Sequence, residues 1–173
     1  MSITQQLKEM HKFMQNNTNK RTLYGYVLDH GKEMLSGNLD TEQYDYLIQV
    51  KEKAKIQCLP KQCYYNSQAL ALADKENRIK YFEGVCLREN NLFFHAWNTL
   101  DNVMIDTTLT FKRSIDLTRL SSLKDRILGT LPDNTSYYGT DYDKAYISET
   151  WLKHKHSIAL IDNWQDNYPL LNY

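Results

Sequence analysis

Three side chains have the types and the order that thiol chemistry requires: Cys63, then His95, then Asp106. A cysteine attacks a carbonyl as its thiolate, so it needs a base to take its proton and a third polar group to fix the tautomer of that base. Cys63 stands three residues after Pro60 and opens a stretch over 63–77 in which Ala69, Leu70, Leu72 and Ala73 recur as one side of a helix. The sulfur therefore falls in the first helical turn, where unpaired amide hydrogens favour the thiolate. His95 sits in Phe93-Phe94-His95-Ala96-Trp97, and two-residue alternation puts it on one strand face with Phe93 and Trp97. Two registers are open for the strand that follows. A turn on Leu100-Asp101, or on the whole 99–102 quartet, sets Asp106 directly across from His95; a turn on Asp101-Asn102 sets it opposite Trp97, one pair away on the same face. Either register lets the carboxylate orient the imidazole.

The elements that must position these residues read as follows. A short amphipathic helix covers 2–14 through Leu7, Met10, His11 and Met14, and stops at Asn16-Asn17. Asp40, with Gln43 three residues on, caps a second helix that continues through Tyr44, Leu47, Ile48 and 50–55. The Cys63 helix comes next, then strand-like runs over 81–87, 92–98 and 103–108, separated by hairpin connections at 88–91 and 99–102. Leu117, Leu120, Leu123, Ile127 and Leu128 repeat at helical spacing up to Gly129; 132–139 reads as a loop, 143–153 as a helix and 158–161 as a short strand. No repeat or composition break divides the chain, so the expectation is one α+β domain over 1–173. It comprises a helical segment over 1–57, a core over about 58–110 and a helical elaboration over 111–173.

Composition narrows the function classes. Lys plus Arg number 21 and Asp plus Glu number 21, a balance that supplies no field for a nucleic-acid backbone or an anionic membrane. The uncharged apolar runs, such as 70–73 and 158–161, are far shorter than the roughly 20 residues of a membrane span. The first ten residues carry acid and amide where a signal peptide needs a basic start and an apolar block. Three cysteines, Cys58, Cys63 and Cys86, are an odd number that fits a reducing compartment better than a disulfide framework. The expected location is the cytoplasm, with no nucleic-acid or membrane partner.

Cys63-Tyr64-Tyr65-Asn66-Ser67, Tyr81-Phe82-Glu83-Gly84-Val85, His95-Ala96-Trp97-Asn98 and Val103-Met104-Ile105-Asp106-Thr107-Thr108 together resemble the core of papain-like and transglutaminase-like cysteine enzymes, including small bacterial and phage members. The resemblance spans about residues 58–110 and implies a Cys-bearing helix packed on an antiparallel sheet that bears His and Asp. Two departures are visible: Asp106-Thr107-Thr108 stands where the family has Asp-Pro-Thr, and the hairpin between His95 and Asp106 is short. The family also implies a donor for the oxyanion. Gln57, six residues before Cys63, has the papain-like offset; Gln62 competes with it, and the Cys63 amide would serve beside either. Trp97 and Asn98 are candidates for supporting the triad, and Glu83 is either another or an outward strand carboxylate.

The resulting expectation is a thiol-dependent hydrolase or acyltransferase acting on an amide or ester of a protein, peptide or small acyl substrate, without a cofactor. Its location is the host cytoplasm if the chain is phage-encoded. The rival is a noncatalytic binding module that uses the same scaffold to engage a host protein, because a buried Cys or a strand His taken singly is ordinary packing. Cys58, Cys63, His154 and His156 also raise zinc, but their spacing departs from ligand knuckles; Lys153 and His154 suit the carbonyls at the end of their own helix better. Cys86 reads as core. Substrate pockets are expected in the stretches without a pattern, 15–40 and 109–150.

Overall fold

Two tight turns shape the sheet. In the computed structural model, which describes residues 1–17, 21–35, 37, 39–109 and 134–171, β2 (Ile79–Arg88) and β3 (Asn91–Leu100) are joined by Glu89-Asn90, and β3 and β4 (Val103–Ile105) by Asp101-Asn102. All four turn residues have positive φ, between 48° and 68°, which gives the two-residue turn whose twist matches the strands it joins. The second turn settles the register: Ile105 pairs with Asn98, so Asp106 follows on beside Trp97, one pair from His95.

The sheet has five strands in the order β1-β5-β2-β3-β4, all antiparallel, with β1 at Lys32–Met34 and β5 at Thr135–Tyr142. Helices α1 (Ile3–Gln15), α2 (Leu23–His30), α3 (Thr41–Lys53), α4 (Cys63–Ala73) and α5 (Lys144–His154) complete an α+β architecture. Side-chain oxygens cap four of them: Ser2, Thr22, Asp40 and Asp143 each accept from an amide three residues on, and Asp40 with Gln43 completes the expected capping box. Among the described residues no helix is long and apolar enough to cross a membrane.

Several boundaries differ from expectation, each for a traceable reason. The Cys63 helix ends at Ala73 rather than 77 because the Asp74 carboxylate takes the amides of Glu76 and Ile79, at 2.9 and 2.6 Å, and turns the chain into β2. Its most buried positions are Asn66, Ser67, Gln68, Leu70 and Ala71, so its inner side is more polar than the Ala/Leu spacing suggests. The third strand stops at Ile105, not 108, because Asp106 Oδ1 accepts the amides of Thr108 and Leu109, both at 2.9 Å, and folds the chain out of the ladder. The expected loop over 132–139 contains most of β5, which lies between β1 and β2, so the segment after 111 is not a purely helical elaboration. The helix expected up to Gly129 lies outside the described residues.

Gly84 and Gly139 pair across β2 and β5. A Cβ at Gly84 would sit 2.2 Å from the Tyr138 carbonyl oxygen, and one at Gly139 would sit 2.6 Å from Trp97 Cη2. The bare backbone there lets the strands meet and leaves room for the Trp97 ring.

Residues 158–161 form no strand. The amides of Leu160 and Ile161 donate instead to the two oxygens of Glu83, each at 2.8 Å, and Tyr81 Oη donates to Glu83 Oε2 at 2.6 Å. Glu83 thus faces the side of the sheet opposite His95 and ties the end of the chain to β2. Burial pushes its pKa up to about 7 against these three donors. Glu83→Gln would set an amide NH2 against the Ile161 amide, or against Leu160 and Tyr81 if the group is turned over. It is expected to destabilise the protein by about 2 kcal/mol and to abolish slow hydrogen exchange at the Leu160 and Ile161 amides; unchanged protection there would contradict this anchor.

Candidate active site

The approach to Cys63 is a constrained loop. Lys55, Cys58 and Lys61 all have positive φ, and the Asn66 side chain clamps Leu59 from both sides, accepting its amide at 2.9 Å and donating to its carbonyl at 2.7 Å. The same Asn66 Nδ2 donates to Thr108 Oγ1 at 2.8 Å, which links α4 to the chain just beyond Asp106. Cys63 is the first residue of α4, half-buried, and the Gln62 cap position contributes no side-chain bond. The first-turn amides of α4 therefore lack the side-chain acceptor that the other four helices have.

β4 pairs only with Asn98, Thr99 and Leu100. Farther along, toward Asn91, the edge of β3 is free of a strand partner among the described residues, and Cys63, His95, Thr108 and Leu109 together line a cleft there. His95 Nε2 lies 2.7 Å from Asp106 Oδ2, and Tyr137 Oη donates to that same oxygen at 2.7 Å. With the Thr108 and Leu109 amides on Oδ1, the carboxylate is surrounded by donors, so His95 carries its hydrogen on Nε2. That leaves Nδ1 as the ring nitrogen not engaged by Asp106, and Cys63 lies close enough to the imidazole to raise its pKa.

The electrostatics follow from this arrangement. Burial pulls the His95 pKa down, but the charge of Asp106, its hydrogen bond and the Cys63 contact override it and hold the imidazole well above its usual value. Burial pushes Asp106 up, yet His95 and the Leu109 and Tyr137 donors keep it below the ordinary carboxylate range. Cys58 and Cys86 are fully buried thiols whose pKa values burial raises.

The other sequence candidates divide. Trp97 stacks beside His95, with ring centroids 6.4 Å apart, and also meets Tyr137 edge-on at 5.2 Å. Asn98 points to the opposite face, donating to the carbonyls of Ser67 at 2.9 Å and Lys80 at 3.1 Å, so it fastens α4 to the sheet and does not touch His95. Glu83 shares that far face. Gln57 and Gln62 are exposed and neither lines the cleft; of the donors considered, the Cys63 amide is the one already at the sulfur. Among the described residues the cleft is walled by residues within 60–63, 88–95 and 108–109, of which Leu109 alone falls in the patternless stretches.

His154 Nε2 lies 2.8 Å from Asp166 Oδ2, and Lys153 also bonds Asp166, in place of the expected helix carbonyls; His156 Nδ1 faces the Ser157 carbonyl. Cys58 is packed with Leu47, Val50 and Leu70. Among the described residues no group of three His, Cys, Asp or Glu side chains is placed to hold a metal. Tyr137 is the site residue that sequence reasoning missed. Its signal was the β-forming run Thr135-Ser136-Tyr137-Tyr138, overshadowed by Pro132-Asp133-Asn134 before it and Gly139 after it.

Two substitutions read this network. Tyr137→Phe removes one donor and is expected to cost about 1 kcal/mol with the fold retained. Asp106→Asn turns an NH2 toward His95 and Tyr137 and is expected to cost about 2–4 kcal/mol. A depressed carboxylate stabilises the fold above its unfolded pKa, and a raised imidazole stabilises it below its own. The gap in melting temperature between wild type and Asp106→Asn should therefore be widest between about pH 4 and 6.5 and narrow toward both acid and alkali; a gap independent of pH would contradict the ion pair. Comparison of the chain with protein-family models, with curated proteins and with solved structures yields no match.

Proposed function

We propose that this protein is a thiol-dependent hydrolase or acyltransferase of papain-like or transglutaminase-like type, with Cys63 as nucleophile, His95 as general base and acid, and Asp106 as the group that orients His95. The observation that carries the reading is the meeting of Cys63 and His95 on one cleft, with the imidazole bonded to a carboxylate whose oxygens are all engaged.

The chemistry balances as follows. With the Cys63 proton held on His95 Nδ1, the sulfur forms a bond to the carbonyl carbon of an amide or ester, and the carbonyl electron pair moves onto oxygen. The Cys63 amide, in the uncapped first turn of α4, is placed to donate to that oxyanion. When the oxyanion collapses, the carbon–nitrogen or carbon–oxygen bond breaks and the leaving group takes the proton from His95. Water or an amine, losing a proton to His95, then attacks the thioester and returns the sulfur to Cys63.

Iodoacetamide at pH 6 tests the reading. Cys63 is expected to alkylate at least about tenfold faster than Cys58 and Cys86, which are buried and held as thiols, and His95→Ala should erase most of that advantage. Peptide mass mapping over a time course gives the three rates. Equal, slow labelling of all three cysteines would remove the nucleophile and leave a binding module on this scaffold as the better description.

A further inference from the structure

The cleft beside Cys63 encloses ≈ 430 Å³ and has walls of two kinds. Pro60, Phe93 and Leu109 supply apolar surface, whereas Lys61 and Arg88 bring two cations against one carboxylate, Glu89. Arg88 ends β2 and pairs with Asn91, while Gly84 pairs with His95, so Arg88 shares the His95 face two side-chain positions along the strand. That separation is about 14 Å between backbones, and the long arginine side chain covers part of it on its way into the cleft.

The other two arginines among the described residues are committed. Arg21 bonds Asp29 at 2.9 Å, and Arg78 bonds Glu42 at 2.7 Å and Asp101 at 2.5 Å. Among the described residues neither Lys61 nor Arg88 has a side-chain hydrogen bond or ion pair. A half-buried guanidinium without a carboxylate partner, at one end of a cleft with a thiol at the other, is suited to a planar anion that can take two parallel hydrogen bonds.

We infer that the acyl donor of this cleft carries an apolar group close to the reacting carbonyl and a carboxylate several bonds further out, held by Arg88 with help from Lys61. The inference rests on the thiol-acyl-transfer reading and specifies its substrate class. An amide or ester of that design lays its apolar part on Phe93 and Leu109, anchors its charge at Arg88 and presents its carbonyl to Cys63.

Two probes that differ only in charge test it: N-chloroacetyl-phenylalanine and its carboxamide. In each, the Cys63 sulfur forms a bond to the chloroacetyl carbon and chloride leaves, so the electrophile is the same. Alkylation of Cys63 in the intact protein is compared with alkylation of glutathione. The acid is expected to be favoured over the amide by about tenfold relative to that reference. Arg88→Gln should remove most of the preference and Lys61→Gln part of it, with the circular dichroism spectrum and cooperative thermal unfolding retained in both variants as the sign that the fold is intact. A glutathione-like ratio at Cys63, or a preference that survives Arg88→Gln, overturns the anionic subsite while leaving the thiol reading in place. Failure of either probe to alkylate Cys63 faster than Cys58 overturns the thiol reading, and the substrate class falls with it.

Discussion

The buried carboxylate of Asp106 is the constraint on which the rest of the site depends. A carboxylate withdrawn from water is several kcal/mol unfavourable unless donors replace its hydration. Here two amides, a phenol and an imidazole do so. Each donor also fixes a piece of structure. The Thr108 and Leu109 amides end β4 and leave the edge of β3 clear for the cleft, the Tyr137 hydroxyl brings in β5, and the imidazole is left with one orientation and one free nitrogen.

The two faces of the sheet divide the labour. One face carries His95 and Arg88, which line the cleft, with Trp97 and Tyr137 buried beside the imidazole. The other packs α4 and α5 through polar groups that bond across long stretches of chain: Gln68 donates to the Ile158 carbonyl at 2.8 Å and accepts from Trp151 Nε1 at 2.5 Å, Asn98 holds α4 through its Nδ2, and Glu83 holds 160–161. Buried polar networks of this sort resist register slips, because any shift strands a donor or an acceptor without a partner. Asn66, Gln68 and Asn98 thereby fix the head of α4, and with it Cys63, beside the cleft that His95 also lines.

What could be read from the sequence was what local rules control. The Asp40 capping box, the hairpin turns, the position of Cys63 in its helix and the shared face of His95 and Asp106 all follow from spacings of a few residues. The choice between the two registers did not, because both turns were chemically acceptable; Asp101 and Asn102 taking left-handed conformations decided it. Tyr137 stayed hidden because its partner lies 31 residues away, and residues 158–161 were misjudged as a strand because their amides are claimed by Glu83, 77 residues from Leu160. Alternation held in the strands: it sets Asn98 on the face opposite His95, where Asn98 and Glu83 fasten α4 and residues 160–161 rather than support the imidazole.

The central claim is that Cys63, activated by His95, accepts an acyl group. Its most direct measurement is intact-protein and peptide mass spectrometry after brief exposure to an activated ester such as p-nitrophenyl acetate. The account predicts a single acetyl group on the Cys63 peptide of the wild type, formed much more slowly in His95→Ala and never in Cys63→Ala. Acetylation scattered over lysines, with Cys63 unmodified in a folded protein, would contradict it.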